Sequence, residues 1–306
     1  MKNIYNKINE LWLRCRKWGD INIFGYFITG MLKVVFYMLI GLIIIYSLFI
    51  VGPFKDKKPL QEPIVSDSTT TEINNCNVSG INMHGELYTY LPNHADNDPL
   101  FNYDSMSSEN IVGSIKVANE NPKIKAIVIE VESAGGSPIG GEEIATAVKN
   151  SEKPVVAFIR GLGASSSYWA ISTASKIWAS KNSNVGSIGI TMSYLNSVEK
   201  NKKDGYTYEQ LSSGKFKDSG SANMPLTTEE KTLFMRDINI MYGNFIEAIA
   251  TNRNLSVDKV KSIADGSTVL GAKAKELGLI DEIGSYPEVE KYLTDKIGEK
   301  VEVCWE

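Results

Sequence analysis

The sequence predicts an α/β fold, a mostly parallel sheet covered by helices, preceded by one N-terminal transmembrane helix. Three observations carry this expectation. Residues 34–51 form an uncharged apolar run; from about Val78 apolar segments of strand length alternate with segments of helical period; and two Gly/Ser-rich turns each follow a buried apolar run. The chain has 306 residues, 43% hydrophobic and 22% charged, which excludes wholesale disorder, collagen-like repeats and a disulfide scaffold.

Charge becomes informative when split along the chain. Lys2, Lys7, Arg14, Arg16, Lys17 and Lys33 stand against Glu10 and Asp20, so residues 1–33 carry +4 and the remainder −8 of the net −4. The run VVFYMLIGLIIIYSLFIV that follows is just long enough to cross a bilayer core as a helix. Apolarity on every face argues against a buried core helix, and no A-x-A-like site follows to suggest a cleaved signal peptide. The basic flank stays in the cytoplasm by the positive-inside rule, so 1–33 reads as a cytoplasmic segment and 34–51 as a signal anchor. Residues 52–77, rich in Pro, Ser and Thr, read as a linker lifting an extracytoplasmic domain, 78–306, off the membrane. Nothing in the charge pattern points to nucleic acid.

Within 78–306 the elements follow in order. INMHGELYTY reads as a first strand, residues 107–119 as a helix and KAIVIEV, 125–131, as a buried strand. Residues 139–149 read as a helix, 154–159 as a strand, 166–175 as a helix, KIWAS as a short strand and YTYEQL, 206–211, as strand-like. Thr227-Thr-Glu-Glu230 is a capping box, and Phe234, Ile238, Met241, Phe245 and Ile249 then share one helical face, for core packing or a subunit seam. Cys76 and Cys304 would both face an oxidising compartment; pairing and two separate thiols are both open. With only His84 and His94, a histidine-rich metal site is excluded.

Two turns could carry chemistry. In ESAGGSPIGGEEI, Gly135 and Gly136 allow a sharp turn with exposed N–H groups; in RGLGASSSYWA, serines fall where a helix would present free N–H groups. Each could be a plain strand-to-helix turn. Together they hold a hydroxyl at a helix start and amides to receive an oxyanion, the requirements of acyl transfer. No histidine has the setting of a triad base. A desolvated lysine can take the serine proton instead, and SSGKFKDSGSANMPLT offers Lys215 and Lys217.

At these residues the chain resembles the signal peptide peptidase A group of membrane-bound serine proteases, peptidase family S49, with the Clp protease/crotonase fold. The resemblance covers about residues 80–283. It rests, in order, on ESAGGS, GASSSYWAISTASKIWAS, VGSIGI, SGKFKDSGS, LTTEEK and DGSTVLGAKAKELGLIDEIG. It implies Ser165 as nucleophile, Lys217 as general base, and the backbone N–H groups of Gly136 and Ser166 as the oxyanion site. Ser187 becomes a candidate partner of the lysine, or simply a strand-start serine satisfying its own turn. Lys215 is expected to be exposed and Asp265 to bond local backbone. The resemblance further implies peptide substrates, no metal or organic cofactor, and self-assembly into a ring or dome; pairing of Ser165 with Lys217 within one chain and across an interface are both open.

The chain departs from the family pattern at Ala134, where proline is usual, at Glu132, where asparagine is common, and at Ser166 and Ser167, which replace two glycines after the nucleophile. Ser166 or Ser167 could thus be an alternative nucleophile. The leading expectation is a membrane-anchored Ser/Lys endopeptidase that cleaves remnant signal peptides or other short apolar peptides at the membrane. The alternatives are a catalytically silent scaffold of the same fold and a crotonase-like acyl-CoA enzyme, which leaves Lys217 without a role.

Overall fold

The computed structural model describes residues 38, 39, 42, 76–91 and 105–306. The chain divides into two compact units, Met1–Asp67 and Ser68–Glu306, and the described strands belong to the second. Apart from Met38, Leu39 and Leu42, which are helical and exposed, and the last two linker residues, Cys76 and Asn77, the expected anchor and linker lie outside the described residues. No helix among the described residues is long and apolar enough to cross a membrane.

Among the described residues nine strands build one sheet: β1 (Val78–Tyr88), β2 (Ser105–Ser107), β3 (Ala126–Gly136), β4 (Val155–Ala164), β5 (Lys176–Ala179), β6 (Asn184–Gly186), β7 (Thr268–Leu270), β8 (Glu282–Ile283) and β9 (Val303–Trp305). The order β2-β1-β3-β4-β5-β8 is parallel throughout, as are the pairings of β9 with β1 and β6 with β4. Only β7 runs antiparallel, against β6. The helices are α1 (Ser108–Glu120), α2 (Pro138–Lys149), α3 (Ser166–Ile171), α4 (Val198–Lys203), α5 (Thr228–Asn252), α6 (Val257–Lys261), α7 (Gly271–Leu277) and α8 (Tyr286–Ile297).

The continuous apolar run of β3 is explained by burial on both faces, the normal condition of a parallel strand. Ile127, Ile129 and Val131 enter the larger core with α1, α2, α3 and α5, while Ala126 and Val128 face α8 through Val289 and Leu293. Glu130 interrupts this pattern beyond the apolar cover of that face and is paired with His84 and Arg160. The helices start where the side chains cap them: Ser107 for α1, Ser137 followed by Pro138 for α2, and Thr227 with Glu230, the expected capping box, for α5.

Four sequence expectations need adjustment. β3 and β4 continue through the glycines of both turns as far as Gly136 and Ala164, so these turns are strand ends rather than free loops. α3 stops at Ile171, where Ser172 ends it with its hydroxyl on the Trp169 carbonyl. YTYEQL is no strand: it is exposed along its length and has no neighbour to pair with, and alternation alone does not hold a strand in water. The stripe on α5 divides, with Phe245 and Ile249 buried in the core and Phe234, Ile238 and Met241 only half-buried. Cys76 and Cys304 do pair, with 5.7 Å between Cα atoms, tying the start of β1 to β9.

Candidate active site

β3 and β4 lie side by side, so their carboxyl ends bring the two turns together. In parallel α/β sheets this edge is where ligands bind. The β4 turn passes directly into α3 at Ser165, whose backbone has φ 54° and ψ −131°. A side chain in that conformation costs about 1–3 kcal/mol and persists only where the surroundings enforce it. Here the Ser165 N–H donates to the Gly186 carbonyl at 2.7 Å, and its own carbonyl accepts from Trp169 at 3.0 Å. The result is a sharp strand-to-helix elbow that lifts the hydroxyl out of the ladder.

The β3 turn is pressed against it. A Cβ on Gly135 would lie 2.8 Å from the Ser165 Cβ and 2.9 Å from the Ser166 nitrogen; one on Gly136 would lie 2.2 Å from the Leu87 carbonyl oxygen. Both glycines have positive φ, 98° and 153°. No other residue fits so close a backbone approach. Ser137 donates to Leu87 at 2.6 Å, which turns the preceding Gly136 N–H away from β1, and Ser166 carries the first N–H of α3, without an intrahelical acceptor.

Ser165 opens onto a cleft of about 460 Å³ whose walls include Ile190, Ile238, Tyr242 and Ala264. The Asp265-Gly266 turn closes its floor. Ser187, also at positive φ (50°), fastens this turn by donating from Oγ to Gly266 at 2.8 Å and from its N–H to Ser267 at 3.0 Å. Ser187 therefore satisfies local backbone. Asp265 accepts the Ser267 hydroxyl at 2.6 Å and N–H at 2.9 Å, bonds that hold its carboxyl below the ordinary range. The cleft walls on α5 were not assigned from the sequence, although Ile238 and Tyr242 lie one turn apart on the partly apolar side of that helix.

Lys217 is elsewhere. It is exposed in the 206–221 segment and lines a second cleft of about 490 Å³ with Tyr208, Leu211 and Asp218 among others, none of which lines the cleft at Ser165. Lys215 is exposed as expected, 2.6 Å from Glu229. Ser166 and Ser167 are both buried, which removes them as alternative nucleophiles: the Ser167 hydroxyl is held by backbone, and the Ser166 hydroxyl has no protein partner. Among the described residues no group of His, Cys, Asp and Glu could hold a metal ion.

The site thus consists of a strained serine at the carboxyl edge of a parallel sheet, at a helix start and packed against the glycines of the neighbouring turn. The chain belongs to peptidase family S49, whose family model matches residues 147–300. It is 34% identical to MJ0651 of Methanocaldococcus jannaschii, named as a candidate protease, over 64% of this chain and 64% of that relative. It is 30% identical to a candidate signal peptide peptidase SppA of Enterococcus faecium, over 64% of this chain and 60% of the relative. The match thus spans less than two thirds of either relative. A looser likeness, with TM-score 0.43 and 15% identity, relates 67% of this chain to 91% of a ClpP1 variant from Listeria monocytogenes.

Proposed function

We propose that the chain is a membrane-anchored serine endopeptidase of the Clp protease/crotonase fold, working outside the cytoplasm on short, apolar, extended peptides such as remnant signal peptides. The observation that carries this reading is the Ser165 elbow, strained, packed against the glycines of the neighbouring turn and open to a cleft with both apolar and polar walls.

In the proposed reaction Ser165 Oγ attacks the peptide carbonyl and its proton passes to the Lys217 amine. The N–H groups of Gly136 and Ser166 hold the oxyanion, the ammonium of Lys217 protonates the leaving amine, and water then hydrolyses the acyl-enzyme. Separate clefts for Ser165 and Lys217 favour a site shared between copies: Lys217 of one chain completes the Ser165 cleft of the next in a closed homo-oligomer. Burial at that contact favours the neutral amine a base must be. The reading needs no metal or organic cofactor.

The same separation favours one alternative, a silent scaffold in which the two residues never meet. Fluorophosphonate labelling of wild type, Ser165→Ala and Lys217→Ala, with the modified residue located by mass spectrometry, separates them. Labelling at Ser165 that both variants lose supports the peptidase; a folded, assembled wild type that does not label supports the scaffold.

A further inference from the structure

Two hydroxyls lie between the turns that carry the proposed nucleophile and oxyanion donors, and neither has a place in the reaction above. Ser133, 2% exposed, donates from Oγ to the Gly85 carbonyl of β1 at 2.6 Å and accepts the Gly135 N–H at 3.0 Å. Ser167, 0% exposed, accepts the Ala164 N–H of β4 at 3.0 Å; its single proton lies within reach of the Ser133 carbonyl of β3 at 2.9 Å and the Ala164 carbonyl at 2.6 Å. The Ser167 side chain thus stands between the last residues of the two strands.

The position is one where the ladder itself is irregular. The β1/β3 register shifts between His84 and Glu86, and the β3/β4 register shifts between Val131 and Ser133, with pairing resumed at Gly135 and Gly136 on β1 and at Ser133 on Gly163. The bonds of Ser133 and Ser167 lie at these two irregularities and supplement the ladder there. One set runs Gly85, Ser133, Gly135; the other runs Ala164, Ser167, Ser133. They meet at Ser133, one residue from Ala134 and three before Gly136, while Ser167 is two residues after Ser165.

We infer that Ser133 and Ser167 are positioning residues for the Ser165 reaction, a hydroxyl clamp that sets the distance between the Gly136 N–H and the Ser165 hydroxyl. The inference rests on the peptidase reading. Misplacement of an oxyanion donor weakens the stabilisation of the transition state and leaves ground-state binding unaltered.

The test uses a fluorophosphonate probe on the full chain, because its phosphoryl oxygen enters the oxyanion site as the bond to Ser165 forms. Labelling is followed against probe concentration to separate the limiting rate from the half-saturating concentration. Ser167→Ala and Ser133→Ala are each expected to lower the limiting rate about tenfold, less than the roughly 10²–10³ that loss of an oxyanion donor costs, with half-saturation within about twofold of wild type. The double variant loses less than the product of the two, as members of one network do. If the variants melt earlier but label at the wild-type limiting rate, the serines only hold the fold and the clamp is overturned. Should Ser167→Ala fail to fold, Ser167→Gly, which restores the family residue, is measured instead under the same criterion. A wild type that does not label overturns the peptidase reading itself, an outcome distinct from equal labelling of wild type and variants.

Discussion

The turn that carries Ser165 is sunk into the sheet, whereas the segment that carries Lys217 lies almost wholly outside it. Around Ser165, its own N–H and carbonyl are both met within the chain, glycines admit contacts that no side chain could, and the strain at φ 54° is held in place by strand, helix and turn. From residue 191 to 227 only α4 interrupts irregular chain, and apolar side chains stand in solvent: Leu195 is 83% exposed, Tyr206 72% and Leu211 98%. A folded monomer gains nothing from that exposure, and large exposed apolar surfaces mark association sites. The Ser165 turn is thus held in place within one chain, while the Lys217 segment presents exposed apolar surface.

Breaking the first half has the largest expected effect. Ser165→Gly is expected to abolish peptide cleavage, a fall of at least about a thousandfold. It should also raise stability by about 1 kcal/mol in thermal unfolding, because glycine relieves the positive φ at some cost in entropy. Equal or lower stability would show that the elbow is not strained. Cys304→Ser tests the frame beneath both halves: opening a loop of 228 residues is expected to cost roughly 3–5 kcal/mol of stability under oxidising conditions, with the variant active while folded.

Breaking the second half acts on assembly. Leu211→Asp places a charge on the most exposed leucine of the segment, so it is expected to reduce the sedimentation mass and activity together while leaving the melting temperature of the monomer within about 2 °C. Unchanged mass would remove this surface from the contact. The smallest effect is on pH. Asp265 is held below its ordinary value of 3.8 by Ser267, and Glu230 below 4.5 by the N–H and hydroxyl of Thr227. A depressed carboxyl contributes stability that is present above its ordinary value and lost as pH falls through the folded one. Melting temperature should therefore hold above about pH 5 and decline below about pH 4, less steeply in Thr227→Ala.

The sequence made the frame legible where local chemistry and packing agree. The buried run 125–131 and the capping box at Thr227 act through their own neighbours, so their signals survive into the fold. The elbow was legible as a serine following glycines after an apolar strand. What escaped depends on partners distant in the chain. The extension of β3 and β4 through their glycines is decided by neighbouring strands, and the cleft walls on α5 by a helix more than 70 residues from Ser165. YTYEQL carries strand-like alternation that no adjacent strand takes up. Ser133 and Ser167 were read respectively as part of a turn and as an alternative nucleophile, because hydroxyls have no sequence mark that separates a bridge from a reactive group.

The central claim, that Ser165 of one copy works with Lys217 of another, is tested most directly by mixing. Ser165→Ala and Lys217→Ala chains, each inactive alone, are unfolded together, refolded at equal amounts and assayed against a fluorogenic apolar peptide. The shared site predicts activity near a quarter of wild type, the share of contacts at which an intact serine meets an intact lysine in a randomly assembled ring. Mixed assemblies that form but stay as inactive as either variant alone would contradict it.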